Sequence, residues 1–221
     1  MQCELKDKKL RLINGYGPQE DDDVNKIKLF WNTVETEVDF ALDEGCLVLI
    51  QCDANAKVGY NVVKNYPNPM SANGKILIEL IEHKGLYLVN QDPNCSGTIT
   101  RERIVNNKSE KSVIDYFIIC ETMKEYLKSM TVDENRTMVL RHTTRRKKDN
   151  KYPLSDHNIL ICNFSLTFKQ QKAADRIEIF NFNSIEGRQL FYKQASNSTN
   201  YPHALKLLMT LNFLAPISYL V

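Results

Sequence analysis

Four short stretches of the 221-residue sequence place polar, chemically capable side chains at the ends of apolar runs. They are Asn14-Gly15-Tyr16-Gly17-Pro18, Cys52-Asp53-Ala54-Asn55, Ser112-Val113-Ile114-Asp115-Tyr116 and Leu154-Ser155-Asp156-His157. Taken singly, most have an ordinary structural explanation. Asp53 and Asn55 favour turns through local hydrogen bonds, Tyr16 between two glycines reads as a turn aromatic, and Ser155-Asp156-His157 reads as a helix cap or loop. Asp115 differs. A carboxylate inside VIDYFII is costly to bury unless it is paired, and His157 is its natural partner. The alternative to four unrelated turns is therefore one active site, with LVLIQCDANAKVG as its floor.

The elements that must position these residues are legible in the apolar pattern. Lys9 to Asn14 alternates as a strand, and GYGPQ is expected to turn out of it. Asp21, Asp22 and Asp23 suit a helix N-terminus, after which Val24, Ile27, Phe30, Trp31, Val34, Val38 and Leu42 recur at helical spacing as far as Gly45, predicting a helix over 20–44. Cys46 to Cys52 is a nearly continuous apolar strand of a length typical of sheet interiors. A second helix is predicted from near Asn73 to Gly85, burying Ile76, Leu77, Leu80 and Ile81. Leu86 to Asn90, Thr98 to Ile104, Val113 to Cys120, Arg136 to Arg141 and Asn158 to Leu166 are strand candidates, with a short helix around Glu121 to Lys128. Many strands and few helices predict stacked sheets.

Composition narrows the class. Lys+Arg of 29 against Asp+Glu of 27 leaves a formal charge of +2, so attraction to nucleic acid must come from clustering. Such a cluster is RHTTRRKKDNK, in which Arg141, Arg145, Arg146, Lys147 and Lys148 lie just before the Ser-Asp-His stretch; alone it reads as a solvated loop. Six cysteines without a CxxC pair predict a reducing compartment and no zinc site, and His83, His142, His157 and His203 have no ligand spacing. The N-terminus lacks a signal-like apolar stretch, and no run reaches the roughly 18 apolar residues of a membrane span. The expected setting is intracellular, nuclear if the chain acts on genomic DNA. Texture changes near residue 169, which divides 1–168 from a polar, then apolar, connector or tail over 169–221.

In this order, the four motifs resemble the endonuclease/exonuclease/phosphatase superfamily, and within it the endonuclease domains of non-LTR retrotransposon polyproteins. The resemblance covers residues 9 to 166. It implies an α/β (α+β), deoxyribonuclease-like fold, here a partial two-sheet β-sandwich with flanking helices. It also implies attack of water on a phosphodiester of DNA with Mg²⁺ (or Mn²⁺) as cofactor, since a phosphate under attack gathers negative charge. By resemblance, His157 sits against the scissile phosphate and Asp115 holds its imidazole. Asp53 positions water, Asn55 fixes Asp53 and the phosphate oxygens, Tyr16 donates to the phosphate, and Asp156 serves the metal.

The sequence departs from the family pattern in two places. The second motif of the family reads Gly-Asp-Phe-Asn, whereas here Cys52 replaces the glycine and Ala54 the aromatic. Only 15 residues precede Tyr16, and Glu4 is too close to it to be the family's early metal-binding Glu. The chain therefore reads as the C-terminal two-thirds of such a domain, with a partner or upstream segment expected to supply the remainder. An impaired endonuclease is the leading functional expectation. A non-catalytic DNA-binding remnant and a small-molecule phosphodiesterase are the alternatives.

Overall fold

A computed structural model describes residues 1–63, 66–137 and 154–168. Strand β1 (Gln2–Glu4), which the apolar pattern does not predict, pairs antiparallel with β2 (Lys9–Tyr16). β2 outruns its predicted end at Asn14. Gly15 and Tyr16 continue the ladder opposite Cys52 and Asp53 instead of turning out of it. β2 and β3 (Leu47–Asp53) are parallel, and the crossover that a parallel pair requires is helix α1 (Val24–Asp43).

α1 begins inside its predicted span because Asp23 is the cap, its carboxylate accepting the Asn25 N–H at 2.8 Å. Ile27, Trp31, Val34, Val38 and Ala41 are buried, whereas Val24 and Leu42, predicted for the same face, are 59% and 38% exposed. Helix α2 (Ala72–His83) is capped by Ser71, whose hydroxyl accepts the Gly74 N–H. Both helices stop at a glycine in the left-handed region, Gly45 at φ 66° and Gly85 at φ 57°, where a side chain would be strained.

Predicted strand 86–90 shortens to β4 (Leu86–Leu88), because Val89–Gln91 winds into a 3₁₀ turn. There the Asn90 amide donates to Asp115 O and accepts from the Phe117 N–H, standing in for a ladder rung. Next come β5 (Cys95–Ser96) and a hairpin of β6 (Arg101–Val105) and β7 (Lys108–Ser112), where one strand over Thr98 to Ile104 is expected. Its turn is Asn106-Asn107, with φ of 50° and 60°, the left-handed pair a tight hairpin needs. β8 (Asp115–Cys120) follows, and the predicted helix over Glu121 to Lys128 is a 3₁₀ turn over Glu121–Tyr126 that leaves Lys128 inside β9 (Leu127–Val132). β10 (Leu160–Phe164) is shorter than the predicted Asn158 to Leu166, and Arg136 and Thr137 belong to no strand.

The main sheet runs β1-β2-β3-β8-β4, which makes β3 its centre as the apolar run predicts; a second sheet runs β10-β9-β5. Every β8 residue is buried, and every β3 residue except Gln51. Each fully buried Val, Leu or Ile there contributes about 1.5–3 kcal/mol by leaving water, which makes apolar burial the main force holding β3 and β8 together. This is the expected α/β, several-sheet architecture. Among the described residues no helix is long and apolar enough to cross a membrane. All six cysteines are free thiols. The basic run 141–148 and the tail from 169 lie outside the described residues.

Candidate active site

The register of the main sheet puts three of the predicted site residues on one rung. Tyr16 on β2 is opposite Asp53 on β3, and Asp53 is opposite Asp115 on β8. Side chains at one rung of neighbouring strands lie on one face, so Tyr16, Asp53 and Asp115 share a face where three strands end or begin. Exposure grades along the rung. Asp115 is fully buried, Asp53 is 9% exposed and Tyr16 64%.

His157 closes the group from a separate segment. Its backbone bridges Arg101 at the base of the hairpin, and the next residue, Asn158, donates its N–H to Thr100 O at 2.7 Å. This seats the imidazole over β8, with Nδ1 3.1 Å from both Asp115 oxygens. Nε2 points the other way, 3.9 Å from Asp53 Oδ2 and 3.9 Å from Asp156 Oδ1. The expected pairing of Asp115 with His157 is therefore met. Buried Thr100, which sequence reasoning overlooks, receives the Ile114 and Asp115 N–H groups on its hydroxyl and holds the start of β8.

Asn55 is placed differently from expectation. Its backbone N–H, not its side chain, reaches Asp53 Oδ1, at 3.2 Å, while its side-chain amide donates to Gly17 O at 2.9 Å. Its φ of 45° suits Asn among non-glycine residues. The two departures in this motif are accommodated. Cys52 stands opposite Gly15, where an added Cβ would lie 3.3 Å from the Cys52 Cβ, so the glycine of β2 makes room for it. Burial, then the charges of Asp53 and Asp115, push the Cys52 thiol far up, leaving it a packing group. Ala54 is buried under Gly17, whose backbone passes so close that a Cβ there would sit 2.4 Å from Ala54 O.

Asp156 carries a partner that no sequence pattern announces. Arg101 Nε donates to its Oδ2 at 2.7 Å, and Arg136 binds its backbone oxygen at 3.2 Å while also holding Glu102 O and the Asn158 amide. Arg136 takes a left-handed φ of 51° to do so, a strain offset by those three bonds. Burial raises the Asp156 carboxyl, but the hydrogen bond and charge of Arg101 win and hold it below the usual carboxylate range.

Three carboxylates thus face one imidazole and one guanidinium. Burial, then the charge of Asp115, raise Asp53 to about 7. Burial alone would lower His157; the hydrogen bond and charge of Asp115, then the charges of Asp53 and Asp156, outweigh it and raise the ring to about 9. Ligand atoms of Asp53, Asp115 and His157 all lie within 4.8 Å of one another, an Asp-Asp-His set able to hold a metal ion. The excess of buried carboxylate charge fits a divalent cation. Both Asp115 oxygens serve His157, which leaves Asp156 and Asp53 as the carboxylates open to a hard cation and to water.

No protein-family model and no curated protein matches the sequence. Solved structures do. The endonuclease domain of TRAS1, a telomere-specific non-LTR retrotransposon, superposes with a TM-score of 0.54 at 20% identity, over 75% of this chain and 62% of that one. A 3′-5′ exonuclease from Neisseria meningitidis superposes with a TM-score of 0.50 at 16% identity, over 74% of this chain and 63% of that one. This chain spans less than two-thirds of either relative, and at such identities the likeness is one of fold. This arrangement, with strand ends delivering Asp53 and Asp115 to one edge of the main sheet, is a deoxyribonuclease-like fold.

Proposed function

We propose that the chain is a phosphodiester-cleaving domain acting on DNA, an endonuclease of a retroelement that uses Mg²⁺ or Mn²⁺. The observation that carries this reading is the meeting of Asp53, Asp115 and His157 at one sheet edge, from parts of the sequence far apart. At neutral pH a ring raised to about 9 is protonated, so His157 Nε2 donates a charged hydrogen bond to a phosphate oxygen. Asp53, raised to about 7, is partly ionised there and can orient water and take its proton. Asp115 keeps the imidazole charged and aimed. Tyr16, exposed at the end of β2, would donate to the same phosphate. A divalent ion held at Asp156 would neutralise charge on the phosphate. The likeness to a retrotransposon endonuclease supports DNA as substrate, and the basic residues Arg141, Arg145, Arg146, Lys147 and Lys148 supply the electrostatic means of binding it.

One observation favours a non-catalytic, DNA-binding reading instead. Arg101 already neutralises Asp156, so a cation must compete with a guanidinium 2.7 Å away. A supercoiled-plasmid nicking assay with Mg²⁺, and with EDTA as control, separates the two. The proposed enzyme nicks, weakly in this chain, and Asp53→Ala or His157→Ala abolishes it. Tight DNA binding without nicking supports the alternative.

A further inference from the structure

We propose that Asn73, in the first turn of α2, is a positioning residue that ties the Tyr16–Pro18 segment to the Asp53–Asn55 segment and so sets the spacing of the groups that would face a phosphate. The inference rests on the phosphodiesterase reading for its purpose, though not for its geometry. Asn73 is 1% exposed, and its side-chain amide donates toward Pro18 O at 3.3 Å, Ala54 O at 3.2 Å and Asn55 O at 3.2 Å. One amide therefore serves carbonyls from both segments.

The orientation of that amide is forced. Its oxygen accepts the Trp31 Nε1–H at 2.6 Å, so reversing the group would set an oxygen against three carbonyl oxygens and a nitrogen against an indole donor. Trp31 is anchored in α1, buried at 2% exposure with the Phe30 ring edge-on at 4.8 Å. α1 thereby fixes Asn73, and Asn73 fixes both site segments. The neighbouring Gly74 allows the approach, since a Cβ there would lie 1.8 Å from Lys57 O. Two further bonds join the segments directly, Asn55 Nδ2 to Gly17 O and Gly17 N–H to Asp53 O at 2.6 Å. Asn73 adds the tie that connects them to the helices. Its burial leaves no surface with which to touch DNA.

Amide hydrogen exchange on the full 221-residue chain tests this without needing catalysis. Asn73→Ala is expected to speed exchange at the Gly17 and Asn55 N–H groups at least tenfold, while Ile50 and Ile118, paired at the sheet centre, stay within twofold. The only tryptophan gives a single indole N–H signal, which is expected to shift as its acceptor is lost. Trp31→Phe keeps an aromatic ring but removes the donor together with part of the indole volume; it is expected to move Gly17 and Asn55 in the same direction, by less, with Ile50 and Ile118 again reporting any general loosening. In nicking assays kcat is expected to fall at least tenfold with KM within threefold. Unchanged exchange at Gly17 and Asn55 in both variants would overturn the proposal, as would a rise shared equally with Ile50 and Ile118, which is the mark of a purely structural role. A wild-type chain that never nicks would remove the phosphodiesterase reading and leave the exchange result to decide whether Asn73 holds the two segments.

Discussion

His157 sits with Nδ1 equidistant, at 3.1 Å, from the two carboxylate oxygens of a fully buried Asp115, so the ring is gripped from behind while Nε2 faces the open side of the site. A buried carboxylate this close stabilises the imidazolium, and the remaining carboxylates add to the effect.

Replacing Asp115 should therefore undo the charge on His157. In an NMR titration of the metal-free chain, Asp115→Asn is expected to bring the ring down from about 9 by more than one unit. Loss of a positioned charge of this kind typically costs on the order of 100-fold or more in rate, and nicking should fall accordingly. A titration that stays near its wild-type value would show that the carboxylate is not what holds the proton.

The same two groups give stability a pH dependence. Asp53 and His157 both bind their protons more tightly in the folded state, so their contribution is present at low pH and disappears as pH rises. For Asp53 the loss spans 3.8 to about 7, and for His157 6.5 to about 9. Urea denaturation of the metal-free chain at several pH values is expected to show a falling midpoint across this window. Asp53→Asn with His157→Gln should flatten that fall, and a wild-type midpoint that climbs instead would contradict the assignment.

Arg101 should act against cation binding. Arg101→Gln removes the charge beside Asp156 Oδ2 and keeps most of the bulk, and Mn²⁺ titration calorimetry is expected to report affinity at least threefold tighter than wild type. Asp156→Asn in the same background should cancel the gain. Weaker binding by Arg101→Gln would place the cation elsewhere.

Gly17 offers a test of the floor. Because its Cβ would fall 2.4 Å from Ala54 O, Gly17→Ala must push β2 away from the Asp53 loop, at a cost of roughly 1–3 kcal/mol, as overpacking a tight contact typically does. Thermal unfolding measures it. A variant as stable as wild type would mean that the loop yields without strain.

Local chemistry is what the sequence determined. The period of Ile27, Trp31, Val34 and Val38 required an amphipathic helix, the nearly continuous apolar run ending at Cys52 required a strand buried on both faces, and Asp115 among aliphatics required a buried partner, for which His157 was the apt residue. Helix ends were readable too, since Gly45 and Gly85 are where the left-handed turn falls. What the sequence left undetermined rests on contacts between distant segments. Nothing local says that Asn90 folds back to hold β8, that the Asn55 side chain is occupied by Gly17, or that Arg101 on a hairpin takes Asp156. The Asn106-Asn107 pair was a local signal for that hairpin, but its strands are highly polar, with only partial apolar alternation to mark them. Asn73 in a predicted helix start reads as an ordinary first-turn residue. Only the packing of Trp31 on one side and three carbonyls on the other gives it four partners, because hydrogen bonds across 42 and 55 residues of chain are decided by the tertiary fold and leave no period in the sequence.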